Sequence, residues 1–209
     1  MVELIDNTVQ FIITLLSGVG AGILFYQKRI QAYFQLSCFF GTFALGTLYW
    51  TLYVLLFNHT PQVFYVSELS WLASFMFLLT LEYTLSTSDE RAFRHPAVWI
   101  VPLVCVPQLL LYVSRGDLLF NLLMCGMTMA AAWYSVRGLA YARRQSGKPR
   151  DLQYFHIAVL CIIFLEYGLW TTSCFWISDT LTNPYFWLDV LLTASLFALL
   201  PATRKAVEA

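Results

Sequence analysis

Three carboxylates stand inside long apolar runs of this chain, Glu68, Glu166 and Asp189, and none of those runs contains a Lys or Arg. An ionised carboxylate at the centre of a bilayer helix costs at least about 2.5–3.5 kcal/mol, so such groups turn toward a bundle interior or an aqueous cavity. The partners open to them here are hydroxyls, a captured cation or a proton. Trp71 follows Glu68 by three positions and Trp170 follows Glu166 by four, so each acid shares a helix face with an indole. Tyr49 and Tyr53, one helical turn apart, supply further rings at a similar depth. A carboxylate beside an aromatic face is suited to organic cations. The candidate ligand-binding set is therefore Glu68, Trp71, Glu166, Trp170, Asp189, Tyr49 and Tyr53, with Asn121 and Thr193 as additional hydrogen-bonding groups. The competing reading of the same rings is an interfacial aromatic belt.

Two further titratable residues lie nearer the other end of their runs. Glu82 is expected to pair with Arg91, Arg94 or Arg137 at headgroup level, because a side chain near a helix end can reach the wet boundary. His156 reads as an interfacial histidine, with a proton relay or a pH-sensitive latch as the alternative. Ten residues separate it from Glu166, nearly 15 Å along a helix, so the two do not touch.

The elements that must position these groups follow from composition. Hydrophobic residues make up 59% of the chain and charged residues 11%, against about 45–50% and about 25% in soluble domains. A hydrocarbon core of about 30 Å takes roughly 20 apolar helical residues, and such stretches occur near 8–26, 33–57, 63–86, 97–113, 118–136, 154–177 and 184–202. They are continuous runs rather than the alternating ones of a β-barrel, which favours helices. The expected fold is an all-α integral membrane protein, a single seven-helix domain over 1–209 with no soluble domain.

Eleven of the twelve basic residues fall after odd-numbered spans, and Arg115 alone lies on the opposite side. The positive-inside rule then puts the N-terminus outside and the C-terminus in the cytoplasm, with the plasma membrane as the expected location. The acidic opening MVELIDN is the reverse of a basic signal-peptide n-region, so 8–26 reads as a retained helix. The basic connection Arg137–Asp151 is a topology determinant and a candidate surface for anionic lipid or a cytoplasmic protein partner. It has no folded platform or interleaved aromatics for nucleic acid.

The runs also echo one another. A shift from 68 to 189 lays Glu68 on Asp189, Phe64 and Tyr65 on Tyr185 and Phe186, and Ala73–Leu79 on Ala194–Leu200, while Trp50 parallels Trp170. Spans one to three and five to seven then form two parallel copies joined by the fourth, a 3+1+3 plan. That plan resembles the architecture of SWEET and other PQ-loop carriers, whose parallel repeats are related by an axis along the membrane normal; opsins and seven-helix receptors have been compared with it. The Pro-Gln pairs of this chain stand at Pro61–Gln62 and Pro107–Gln108, away from that family's repeated positions, and the seventh span has no Lys to hold retinal. The resemblance implies two triple-helix halves rocking about a central site.

Enzyme chemistry lacks an inventory. His59, His95 and His156 fall in different layers, so they do not converge on one metal, and none sets a base beside a nucleophile. The five cysteines lie within the runs without a CxxC spacing, and GVGAG at 18–22 sits mid-helix, where Gly18 and Gly22 form a face for close helix approach rather than a phosphate loop. No cofactor is evident. The expected function is a carrier for a small solute, a cation among the candidates, with proton or ion coupling and an outward-facing acidic and aromatic cavity. The alternative is a seven-helix ligand-binding receptor acting through a separate cytoplasmic partner.

Overall fold

The computed structural model describes residues 2–59, 61, 65–146 and 148–208. Among them are eight α-helices: α1 (Val2–Lys28), α2 (Gln31–Phe57), α3 (Tyr65–Leu85), α4 (Ser88–Ala92), α5 (Ile100–Val113), α6 (Leu118–Ala142), α7 (Lys148–Ser173) and α8 (Pro184–Glu208). A 3-10 turn at Pro96–Trp99 leads into α5, and no strand is present among the described residues.

Six helices are long and apolar enough to cross a membrane: α1, α2, α5 with its 3-10 lead-in, α6, α7 and α8. They mark the chain as an all-helical, multi-pass membrane protein. The helix α3, with 21 residues, is long enough but not apolar enough to join them, because it carries Glu68 and Glu82. Helix bounds also differ from the apolar runs. The first helix begins at Val2, so Glu3 and Asp6 belong to it, and α6 continues through Arg137 to Ala142. The expected basic loop from Arg137 to Asp151 thus shrinks to a short connection between Ala142 and Lys148, and Arg137 becomes a helical residue.

Packing order follows chain order with one exception. Helix α1 packs on α2, α2 on α3, α3 on α6, α6 on α7, α7 on α8, and α8 returns to α1, closing a ring of six; α5 sits outside it against α6 and α7. Small residues set the close approaches. A Cβ on Gly18 would stand 3.2 Å from Cβ of Phe40, and the Ser37 hydroxyl donates to the Gly18 carbonyl at 2.9 Å, which brings α1 onto α2. Outside the ring, α5 is tied to α7 by polar contacts: Thr171 donates to Gln108 at 2.9 Å, and the Tyr112 hydroxyl donates to the Tyr167 carbonyl at 2.8 Å.

The interior combines Phe39, Phe40, Phe43, Phe75, Phe155 and Leu196 with buried hydroxyls such as Thr14, Thr47, Ser74 and Thr128. The perimeter is apolar: Leu103, Phe164 and Phe197 are 74%, 73% and 63% exposed. Polar groups inside and hydrocarbon outside is the arrangement a lipid solvent selects. Lys28, Arg91, Arg144 and Lys205 gather at one end, tied by ion pairs of Glu208 with Lys28 and with Arg204 at 3.0 Å, and of Lys205 with Asp151 at 3.7 Å.

Candidate functional site

Two polar layers cross the ring, one near each end. At the acidic end, Asp189 of α8 is buried against α1, where its carboxylate accepts from Gln10 Nε2. Gln10 also reaches Thr193 at 3.3 Å and accepts from Thr47 of α2 at 3.3 Å. Asp6, one turn before Gln10, lies close enough to Asp189 for the two carboxyls to interact. Nearby, Trp50 donates to Glu3 at 2.8 Å, and the Glu3 backbone N–H donates to Asp179 at 2.9 Å.

The opposite seam of the ring repeats this chemistry with other residues. Glu68 of α3 is buried and faces α6, close enough to Asp117 for the two charges to interact. Asp117 caps α6 through the Phe120 N–H at 2.8 Å, and Asn121, one turn later, donates to the Asp117 carbonyl at 2.8 Å. Asp6 and Gln10 on α1 thus have the same spacing as Asp117 and Asn121 on α6, each pair beside one acid of a neighbouring helix.

Glu166 lies between the seams on α7, where it accepts from Trp170 Nε1 at 3.2 Å. Glu166, Trp170, Tyr112, Asn121, Thr128 and Tyr167 line a cavity of about 20 Å³, room for about one water. Trp170 packs on Phe120 and Tyr112, with ring centres 5.5 and 6.2 Å away. Trp71 points elsewhere. Its ring lies over Gly46 of α2, where a Cβ would stand 2.9 Å from Nε1, and 6.1 Å from the ring of Trp50. Tyr49 and Tyr53, 6.1 Å apart, continue through Phe57 to His59 as an aromatic strip at the outer end of α2.

The seven sequence-predicted residues therefore do not gather round one cavity. Glu166 and Trp170 line the water-sized one, Asp189 and Glu68 occupy separate seams, Trp71 fills the α2–α3 contact, and the two tyrosines form a strip. A larger open groove of about 500 Å³ between α7 and α8, lined by Tyr154, Cys161, Ser195, Pro201 and Lys205, contains none of them. Asn121 and Thr193 do stand in the polar layers. Phe64 and Gln62 lie outside the described residues, as does the side chain of Tyr65.

Sequence reasoning missed Asp6 because it began the first helix at residue 8, and it passed over Gln10 inside that run. The recoverable signal was the pair of acid–amide spacings at the starts of α1 and α6.

The second layer lies at the basic end and overturns the expected partner of Glu82. That carboxylate is fully buried; it accepts from Ser135 of α6 and lies 3.3 Å from Nδ1 of His156 on α7. The other ring nitrogen faces Glu90 of α4 at 3.7 Å. Glu90 is 1% exposed although α4 does not span the bundle. Its carboxyl is pushed up from the usual range by burial, a rise opposed by His156 and Arg137 and helped by Glu82. The arginines act on the backbone instead: Arg91 donates to the Ser86 carbonyl at 2.6 Å, and Arg137 to the Arg91 carbonyl at 3.1 Å.

Gly138 makes room for the cluster, since a Cβ there would collide with the imidazole and stand 2.7 Å from Glu90 Oε1. Among the described residues, no group of three or more His, Cys, Asp or Glu is placed to hold a metal ion, and the five cysteines are free thiols.

Compared with protein families, curated proteins and solved structures, the chain matches none.

Proposed function

We propose that this chain is a small proton-coupled carrier in which α1–α3 and α6–α8 act as two halves of a seven-span bundle, with α5 as the linker. The observation that carries the reading is the placement of protonatable groups on both seams between the halves. Asp6 and Asp189 meet across the α1–α8 seam, and Glu68 faces Asp117 across the α3–α6 seam. A proton gained or lost at such a pair changes the repulsion between halves that would have to move against each other. Matching Asp-x3-amide pairs at Asp6–Gln10 and Asp117–Asn121 support the parallel repeat.

Counting α3 as a span, the positive-inside rule orients the N-terminus outward and the basic end toward the cytoplasm. The substrate class is a small solute, an organic cation being favoured by the carboxylate and indole groups of Glu166 with Trp170 and of Glu68 with Trp71. The water-sized cavity beside Glu166 then corresponds to a closed conformation.

Reconstituted vesicles provide the test. With a panel of organic cations and an imposed pH gradient, the protein should accelerate cation flux or collapse the gradient, and Asp189→Asn should abolish the acceleration. No flux above protein-free vesicles would remove the reading. One observation favours a second reading, a receptor working through a separate cytoplasmic partner: the central cavity holds about one water rather than an organic solute. Stable recovery of one such partner, together with absent flux, would establish it in place of the carrier.

A further inference from the structure

The basic end contains one element that is neither a span nor a simple loop. Helix α4 has five residues, yet it sinks Glu90 to 1% exposure, deeper than any exposed connection requires. Local chemistry builds it: Thr87 is the N-cap and accepts the Glu90 N–H at 3.2 Å, with Glu90 at the third position after the cap, the sequence spacing of a capping box. One carboxylate oxygen of Glu90, Oε1, points at His156. Phe93, just beyond α4, stacks edge-on against Tyr141 of α6 at 5.5 Å, and Arg144 lies 5.2 Å over the same ring.

The contact that seats α4 is made of charge rather than of good hydrogen bonds. Among the described residues, both nitrogens of His156, Oε2 of Glu82, Oε1 of Glu90, and Nε and Nη2 of Arg137 are buried without a hydrogen-bond partner, although the imidazole stands 3.3 and 3.7 Å from the two carboxylates. An imidazole offers an N–H to each of two carboxylates only when doubly protonated. As the neutral ring it presents a lone pair to one of them, and Glu82 and Glu90 are then left with Arg137 as the one cation in the cluster. Three elements supply these groups besides α7 itself: Glu82 from α3, Glu90 from α4 and Arg137 from α6.

We propose that α4 is a pH-operated gate over the basic end of the bundle, held shut by the imidazolium of His156 bridging Glu82 and Glu90, and released when that ring loses its proton. The four elements differ in freedom. Glu82, Arg137 and His156 lie on long helices of the ring, whereas Glu90 is carried by the five-residue helix, so repulsion in the cluster is relieved by α4 leaving. The direction is set by linkage: the shut form holds protons that the open form gives up, so rising pH works against closure. As a gate on solute movement this rests on the carrier reading. The release of α4 does not.

Hydrogen exchange on the full chain in lipid nanodiscs tests it, read by mass spectrometry on peptides covering α4 and on peptides from α3, α6 and α7. At a fixed pH of about 6, His156→Gln should speed exchange in α4 about tenfold or more while the three long helices keep their protection. In the unsubstituted protein, α4 should lose protection beyond the intrinsic rate change as pH rises to about 9, above the ordinary imidazole value of about 6.5. Glu90→Gln should flatten that dependence. Equal α4 exchange in His156→Gln and the unsubstituted protein would overturn the proposal, and so would a loss spread evenly over α3, α6 and α7. Release of α4 in vesicles that show no flux would keep the gate and remove its role in transport.

Discussion

Glu82 of α3 and His156 of α7 meet inside the basic end of the ring, with Oε2 3.3 Å from Nδ1 and both side chains out of contact with solvent. The carboxylate is also bound by Ser135, so the contact joins three of the six ring helices. Among the described residues neither is ion-paired with Arg91, Arg94 or Arg137.

Removing one member of this cluster should be costly. Glu82→Ala leaves the buried imidazole with only one of its two carboxylates, and loss of one side of a buried pair costs about 3–5 kcal/mol. Thermal or denaturant unfolding in detergent should register a loss of that order. A change under 1 kcal/mol (about the value of an exposed pair) would mean that the contact is not buried in the folded protein.

Two glycines of α6 should respond in opposite ways to alanine. At Gly126 nothing stands within 4 Å of a new Cβ, so Gly126→Ala should stabilise the helix by up to about 1 kcal/mol. Gly138→Ala has to displace His156 and Glu90, and overpacking of this kind costs about 1–3 kcal/mol. Unfolding midpoints of the two variants, measured side by side, separate a packing cost from a general helix effect.

Glu90 carries a pH dependence with a definite sign. Its carboxyl lies above the ordinary 4.5, mainly through burial, so the folded form binds a proton that the unfolded form has released. The stability associated with that proton is present at low pH and declines as pH rises above the ordinary value. Stability of the unsubstituted protein should therefore fall relative to Glu90→Gln on going from about pH 4.5 upward. Parallel profiles for the two proteins would contradict this.

At the other end, Asp189→Asn keeps the size of the side chain and a hydrogen bond with Gln10, so its unfolding midpoint should move little. The titratable carboxyl that faces Asp6 would be gone. The expected outcome is a folded protein with flux lost and its pH dependence flattened, measured in vesicles, and Asp6→Asn should behave alike. Full activity in both variants would exclude this pair from coupling.

Much of the architecture was legible in residue order alone. Continuous apolar runs announced the long helices, and the one-sided basic residues announced which helix ends lie together, as Lys28 and Glu208 show by pairing across the ends of α1 and α8. The small-residue face of Gly18 and Gly22 was legible too, since α2 packs there. Harder to read were groups at the rims of the runs. Asp6 and Arg137 lie where the apolar signal has ended but the helix has not.

Sequence by itself determined the helices, the sidedness of charge and the presence of acids that a lipid solvent would not leave unpartnered, because these depend on composition and on spacing within one helix. Which partners those acids take was decided only by tertiary structure. The helices are apolar nearly all the way round, so no face of α3, α7 or α8 is distinguished by its own residues. Close packing across the ring selects the faces. It sends Asp189 to Gln10 and Asp6 at one end, and Glu82 to Ser135 and His156 at the other, through contacts that join helices far apart in the chain.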